Sequence, residues 1–217
     1  MAIKCLSEYL GTLILVFAGT SAIVVDDVTG GAVSNLGVAI VFGLAVAAMI
    51  YAFGDSSGAH INPAVTLALW YAKRFNGTDV VPYVASQIAG ALSASAVVYV
   101  LFATHPTLGA TRPGGTAVGS FVMETVITFF LVLTVIALVT GARRKGVVAA
   151  SVGGVIGVEA WFAGPISGAS MNPARSIGPA LVSGQVDVLW IYIAAPIIGA
   201  CLAVVCCRHA REQGCCG

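Results

Sequence analysis

"GAHINPAVTLA", residues 58–68, and "SGASMNPARSIGPALV", residues 167–182, place the same Asn-Pro-Ala in both halves of an otherwise apolar chain. After Asn62 runs "PAVTLALWYA" and after Asn172 runs "PARSIGPALV". Each stretch is about ten residues, too short to cross a hydrocarbon layer of about 30 Å. Proline at the first helical position loses an N–H that has no partner there anyway. Asparagine suits the N-cap, where its side-chain oxygen accepts a backbone N–H. Each motif therefore predicts the start of a half-helix, one over about 63–72 and one over about 173–183.

The segments just before them, "GDSSGAHI" and "GPISGASM", are expected to be non-helical. Such backbone is tolerated at bilayer depth only where it is buried in protein or lines a wet cavity. Two segments entering from opposite faces can meet end to end near the midplane. The carbonyls around Ala59, His60 and Ile61, and around Gly168, Ala169, Ser170 and Met171, then form a ladder of acceptors beside a narrow path. Two positive helix N-termini face each other there. Water can accept from the amides of Asn62 and Asn172 and donate to the ladder, while cations and protons meet a positive field. Arg175 adds a fixed charge on the outer side, and a wet cavity is its natural place.

The bulk composition supports a bilayer setting. The 217 residues are 59% hydrophobic and 9% charged, where a soluble domain carries roughly a quarter charged residues. The net charge is +1, and no basic run interleaved with aromatics suggests nucleic acid. A signal peptide competes for the start, but Glu8 interrupts its apolar run and Lys4 alone makes its basic region. A first span is the preferred reading. The tail "CCRHAREQGCC" fits no standard zinc spacing. It reads as a reduced cytoplasmic segment, with no metal or cofactor expected.

Six stretches are long enough to span, roughly 6–25, 36–54, 80–103, 119–141, 147–164 and 188–207. With the N-terminus inside, Lys4, Lys73, Arg74, Arg143, Arg144, Lys145, Arg208 and Arg211 all fall on the cytoplasmic side. Arg112 lies outside, a strong positive-inside bias. Small residues recur at four-residue spacing, as in Ala39, Gly43 and Ala47, Ser86, Gly90 and Ala94, Gly153 and Gly157, and Ala195, Gly199 and Ala203. Such stripes let helices approach closely in lipid.

The halves repeat. "SEYLGTLILVFAG" and "METVITFFLVLTV" each carry a lone glutamate, Glu8 and Glu124, near the head of a span. Each half then runs on to its Asn-Pro-Ala. Three spans per half is odd, so the second half is inverted. The expected fold is an all-α membrane protein, six transmembrane helices plus two re-entrant half-helices in an inverted repeat. The whole chain, 1–217, forms a single channel domain. The first repeat covers 1–103, the second 117–208, and 209–217 is a cytoplasmic tail.

"HINPAVTLALW" and "SGASMNPARSIGPA" together resemble the paired signature of the aquaporin and glycerol-facilitator family, the major intrinsic proteins. The resemblance covers nearly the whole chain. It implies a passive channel in the cell (plasma) membrane, a homotetramer with one pore per subunit, selective for water against protons and ions. The permeants it implies are water and small neutral solutes, glycerol among them, with membrane lipid around the protein and no nucleic acid. It implies that the motifs Asn62, Pro63, Ala64 and Asn172, Pro173, Ala174 line the pore, and that Phe42, Ala160, Ala169 and Arg175 form the narrowest outer ring. It also implies that Glu8 and Glu124 brace the broken loops by accepting hydrogen bonds. Taken alone, acids in spans read as proton carriers.

Ala160 stands where strict water channels usually have histidine, and Ala169 where glycerol facilitators usually have an aromatic. Ser176 and Ala180 look water-type, whereas Tyr192 and Ile193 match neither class. These departures resemble the archaeal aquaporins and imply a water channel that also passes small uncharged solutes. The alternative is a glycerol facilitator with water as its secondary permeant. His60 reads as a loop brace or a pore wall, and Glu159 as a vestibule residue, the partner of a basic group, or a bystander packed against a helix. Trp70, Trp161 and Trp190 read as interfacial anchors or core. A coupled transporter would share the inverted repeat but needs titrating groups at the midplane, where only two asparagines stand. An intramembrane enzyme lacks any nucleophile–base pair or metal cluster at helical spacing.

Overall fold

Eight helices follow one another in the computed structural model, which describes residues 1–139 and 144–210. They are α1 (Ala2–Val28), α2 (Ser34–Ser57), α3 (Pro63–Tyr71), α4 (Gly77–Leu101), α5 (Ala117–Val139), α6 (Lys145–Ser167), α7 (Pro173–Ser183) and α8 (Leu189–Ala210). Six are long and apolar enough to cross a membrane. Helices α3 and α7 have 9 and 11 residues, about 14 and 17 Å at 1.5 Å per residue, and neither can span. Arg143, Arg211, Cys215 and Cys216 lie outside the described residues.

The two repeats correspond element by element, α1–α4 to α5–α8. Helix α1 packs along α4, α5 along α8, and α2 along α6 across the centre. The small-residue stripes sit at these seams. A β-carbon on Gly90 would lie 2.3 Å from the Tyr9 carbonyl, and one on Gly199 would lie 2.2 Å from the Thr125 carbonyl, the same contact in each repeat. Gly43 and Gly153 meet at the centre, where a β-carbon on Gly43 would stand 2.7 Å from the Gly153 oxygen. With lipid as apolar as the side chains, such close backbone approach is what holds helices together.

Both central helices run further than the sequence suggests. The expected breaks "GDSSGAHI" and "GPISGASM" are half helical: α2 continues through Ser57 and α6 through Ser167, and only 58–61 and 168–171 are irregular. Gly58 (φ 85°) and Gly168 (φ 83°) then stop the helices in the left-handed conformation, where glycine carries no steric penalty. Pro165 is inside α6 and deprives the Trp161 carbonyl of its helical donor. The Asn35 side-chain amide donates to that carbonyl instead, at 2.6 Å. The helix survives its proline because a residue on α2 replaces the missing bond.

Cys5, Cys201 and Cys206 are free thiols.

Candidate functional site

The half-helices start where the prolines put them, and each asparagine does two jobs. Asn62 Oδ1 accepts from the Ala64 N–H at 2.9 Å. Asn172 Oδ1 accepts from Ala174 at 3.0 Å and Arg175 at 3.3 Å. The amide nitrogens cross the midline. Asn62 Nδ2 donates to the Met171 carbonyl at 2.8 Å, and Asn172 Nδ2 donates to the Ile61 carbonyl at 2.8 Å. The two half-helices thus meet tip to tip through a reciprocal pair of hydrogen bonds. An amide nitrogen has two N–H groups, so each asparagine keeps one for another partner.

The irregular loops are held from behind. Ala59 and Ile61 have φ of 46° and 42°, and Ala169 and Met171 of 40° and 54°. Left-handed backbone at such residues persists only where its surroundings over-determine it. Glu8 and Glu124, both fully buried, supply that constraint. Glu8 accepts from the N–H of His60 at 2.9 Å and of Ile61 at 2.6 Å, and from the Ser57 hydroxyl at 2.7 Å. Glu124 accepts from the N–H of Ser170 and of Met171 and from the Ser167 hydroxyl, all at 2.8 Å. In a trans peptide the C=O points opposite to the N–H. With the N–H groups turned to the glutamates, the carbonyls of Ala59 and His60, and of Ala169 and Ser170, point the other way.

They point towards an elongated cavity of about 450 Å³. Lys4, Asp55 and Arg74 line one end, both asparagines the middle, and Phe42, Ala160, Ala169 and Arg175 the other. Ala59, His60, Ile61, Ser170 and Met171 line it too, while Gly168 does not. The Ile61 and Met171 carbonyls already accept from the opposite asparagine, so each has one lone pair committed. Arg175 is buried. Its guanidinium lies 5.1 Å from the Phe42 ring centroid and donates to the Gly109 carbonyl at 2.9 Å. Arg175 Nε has no partner among the described residues.

His60 is braced and lines the cavity at once. Its Nδ1 is 3.1 Å from the Thr66 hydroxyl, and its ring packs against Phe75 and Tyr83. Glu159 is buried beside Ala160 but does not reach the cavity, and its Oε2 has no partner among the described residues. Trp70, Trp161 and Trp190 are half-exposed on the outer face.

Sequence reading missed a layer of hydroxyls and amides. Tyr83 donates to the Ser57 carbonyl at 2.9 Å, and Tyr192 donates to the Ser167 carbonyl at 2.6 Å. Gln87 joins Glu8 to Thr66 at 2.7 and 3.0 Å, and Thr111 reaches Ser176 at 2.8 Å. The repeat register held the signal: aligning Asn62 with Asn172 also aligns Ser57 with Ser167 and Thr66 with Ser176.

Six spans, two capped half-helices meeting inside them and a lined cavity running past their tips define a membrane channel of inverted-repeat construction. Residues 1–206 match the description "Major intrinsic protein", and the chain belongs to that family of passive channels. It is 47% identical over 199 residues to aquaporin NIP1-3 of Oryza sativa subsp. japonica, covering 91% of this chain and 70% of that one. It is 39% identical over 199 residues to nodulin-26 of Glycine max, covering 91% and 73%. Its fold matches the X-ray structure of the aquaglyceroporin from Plasmodium falciparum with a TM-score of 0.86, 24% identity and 94% of each chain covered. Membership sets aside the coupled transporter.

Proposed function

We propose that this chain is a water channel that excludes protons and ions and also passes small neutral solutes such as glycerol. The observation that carries the reading is the reciprocal pair of asparagine bonds beside the cavity, Asn62 to Met171 and Asn172 to Ile61. A water molecule at that point takes the remaining amide N–H groups as donors. Its own protons go to carbonyls such as those of His60 and Ser170. A water oriented by two donors at the centre cannot pass a proton along a continuous wire, and the facing helix N-termini repel cations. Asn62, Pro63, Ala64, Asn172, Pro173 and Ala174 make this centre.

Phe42, Ala160, Ala169 and Arg175 form the outer filter. Arg175 contributes charge and donors, Phe42 a flat wall, and the two alanines leave the ring wide and weakly polar. That width favours glycerol as a second permeant and supports a second reading, a glycerol facilitator with water secondary. Glu8 and Glu124 brace the loops rather than relay protons, since both carboxyl groups are committed to backbone N–H groups. The chain acts without chemistry on its permeant. It works as a homotetramer in the plasma membrane with both termini cytoplasmic; Lys4, Arg74, Lys145 and Arg208 lie toward one mouth, in accord with that orientation.

Paired water and glycerol permeability of reconstituted vesicles tests the reading. Fast, non-saturating water flux with slower glycerol flux supports it. Glycerol flux exceeding water flux favours the second reading, and flux that needs an ion gradient contradicts both.

A further inference from the structure

The filter arginine takes its position from the Gly109 carbonyl, so whatever fixes residue 109 fixes the filter. Gly109 belongs to the outer connection between α4 and α5, which has no regular structure of its own. Its φ is 73°, and a β-carbon there would lie 2.9 Å from Thr20 Cβ on α1. Leu108 beside it is buried, with a φ of 51°, and packs with Val24 and Val98. Two consecutive left-handed residues need an external constraint.

That constraint is His105, whose side chain is only 7% exposed. Its Nδ1 accepts the Leu108 N–H at 3.0 Å and the Thr107 N–H at 3.4 Å. An accepting Nδ1 carries no proton, so Nε2 carries it and faces Asp27 Oδ2, 3.3 Å away at the end of α1. The path is continuous: Asp27 to His105, His105 to the 107–108 backbone, then the Gly109 carbonyl to the Arg175 guanidinium. We propose that His105, oriented by Asp27, is a positioning residue for Arg175 and so tunes what the filter rejects. The inference rests on Arg175 being the filter residue.

Removing the imidazole frees the Leu108 N–H and lets the 107–109 backbone turn, and the arginine loses its fixed acceptor. The effect falls on selectivity more than on water flow, because the water path at the asparagines is untouched. The test reconstitutes the parent, His105→Ala, His105→Asn, His105→Gln and Arg175→Val. It compares proton leak, read by an entrapped pH dye, with water permeability. Asparagine places its Oδ1 where the imidazole Nδ1 stands and keeps the acceptor. Glutamine reaches past it.

The ratio of proton leak to water permeability rises about threefold or more in His105→Ala, rises similarly in His105→Gln, and returns to the parent value in His105→Asn. An unchanged ratio in His105→Ala, or equal ratios in the asparagine and glutamine variants, overturns the proposal. If His105→Ala does not assemble, the comparison between asparagine and glutamine decides by itself. Arg175→Val separates the two levels. A leak there with none in His105→Ala sinks only the positioning role, whereas no leak in Arg175→Val sinks the filter assignment beneath it.

Discussion

Glu124 offers the sharpest energetic prediction, because its partners can be counted. It accepts three hydrogen bonds, from Ser167 Oγ, Ser170 N and Met171 N. All three donors belong to buried residues away from water. A buried donor left unpaired costs about 1–3 kcal/mol, and no water in the bilayer core relieves it. In Glu124→Gln the amide oxygen can keep the two bonds now made by Oε1 and orphan only Met171 N, a loss of about 1–3 kcal/mol. In Glu124→Ala all three are orphaned. The simple sum is about 3–9 kcal/mol, comparable to the whole stability of a typical domain, although neighbouring terms do not strictly add.

Thermal unfolding of the detergent-solubilised protein reads the difference. At about 2–4 °C per kcal/mol for a chain of this size, the glutamine variant melts about 2–12 °C below the parent. The alanine variant fails to assemble or melts far lower. An alanine variant as stable and as conductive as the parent would refute the view that the carboxylate holds the left-handed loop.

Arg175→Val removes the fixed charge from the proposed outer ring. Proton or cation leak rises while water permeability stays within about twofold of the parent, measured by stopped-flow shrinkage and dye quenching. Ala160→His is expected to narrow the proposed ring and to lower glycerol flux more than water flux in the paired permeability assay; equal losses would place residue 160 outside the ring. Gly199→Val drives a side chain into the Thr125 carbonyl, 2.2 Å from where its β-carbon must sit. Overpacking of this kind costs about 1–3 kcal/mol or more, and the melting temperature falls accordingly.

Much of this fold could be read from the chain because its decisive signals are local. Proline after asparagine fixes where a helix starts, and Pro63 and Pro173 are the first residues of α3 and α7. The six spans follow from length and hydropathy alone, and the repeat from two glutamates at matching places. The signals that failed were tertiary. The second irregular loop is half the expected length although Pro165 lies inside α6, because Asn35, 126 positions from Trp161, supplies the donor that Pro165 lacks. No local pattern predicts that rescue. The crossed asparagine bonds could not be drawn either, since which N–H faces which carbonyl depends on two loops meeting. The connection holding His105 and Gly109 has no periodicity. Its weight lies in a backbone carbonyl, which every residue type supplies equally. The tyrosine anchors Tyr83 and Tyr192 were hidden for a related reason: a lone hydroxyl in a span has no partner until the helices pack.

A density map of the reconstituted channel that resolves side chains at the bilayer midplane tests the central claim most directly. The account predicts the amide of residue 62 bonded to the carbonyl of 171, the amide of 172 bonded to the carbonyl of 61, and ordered water beside both. Asparagines standing apart, or turned toward lipid, would contradict it.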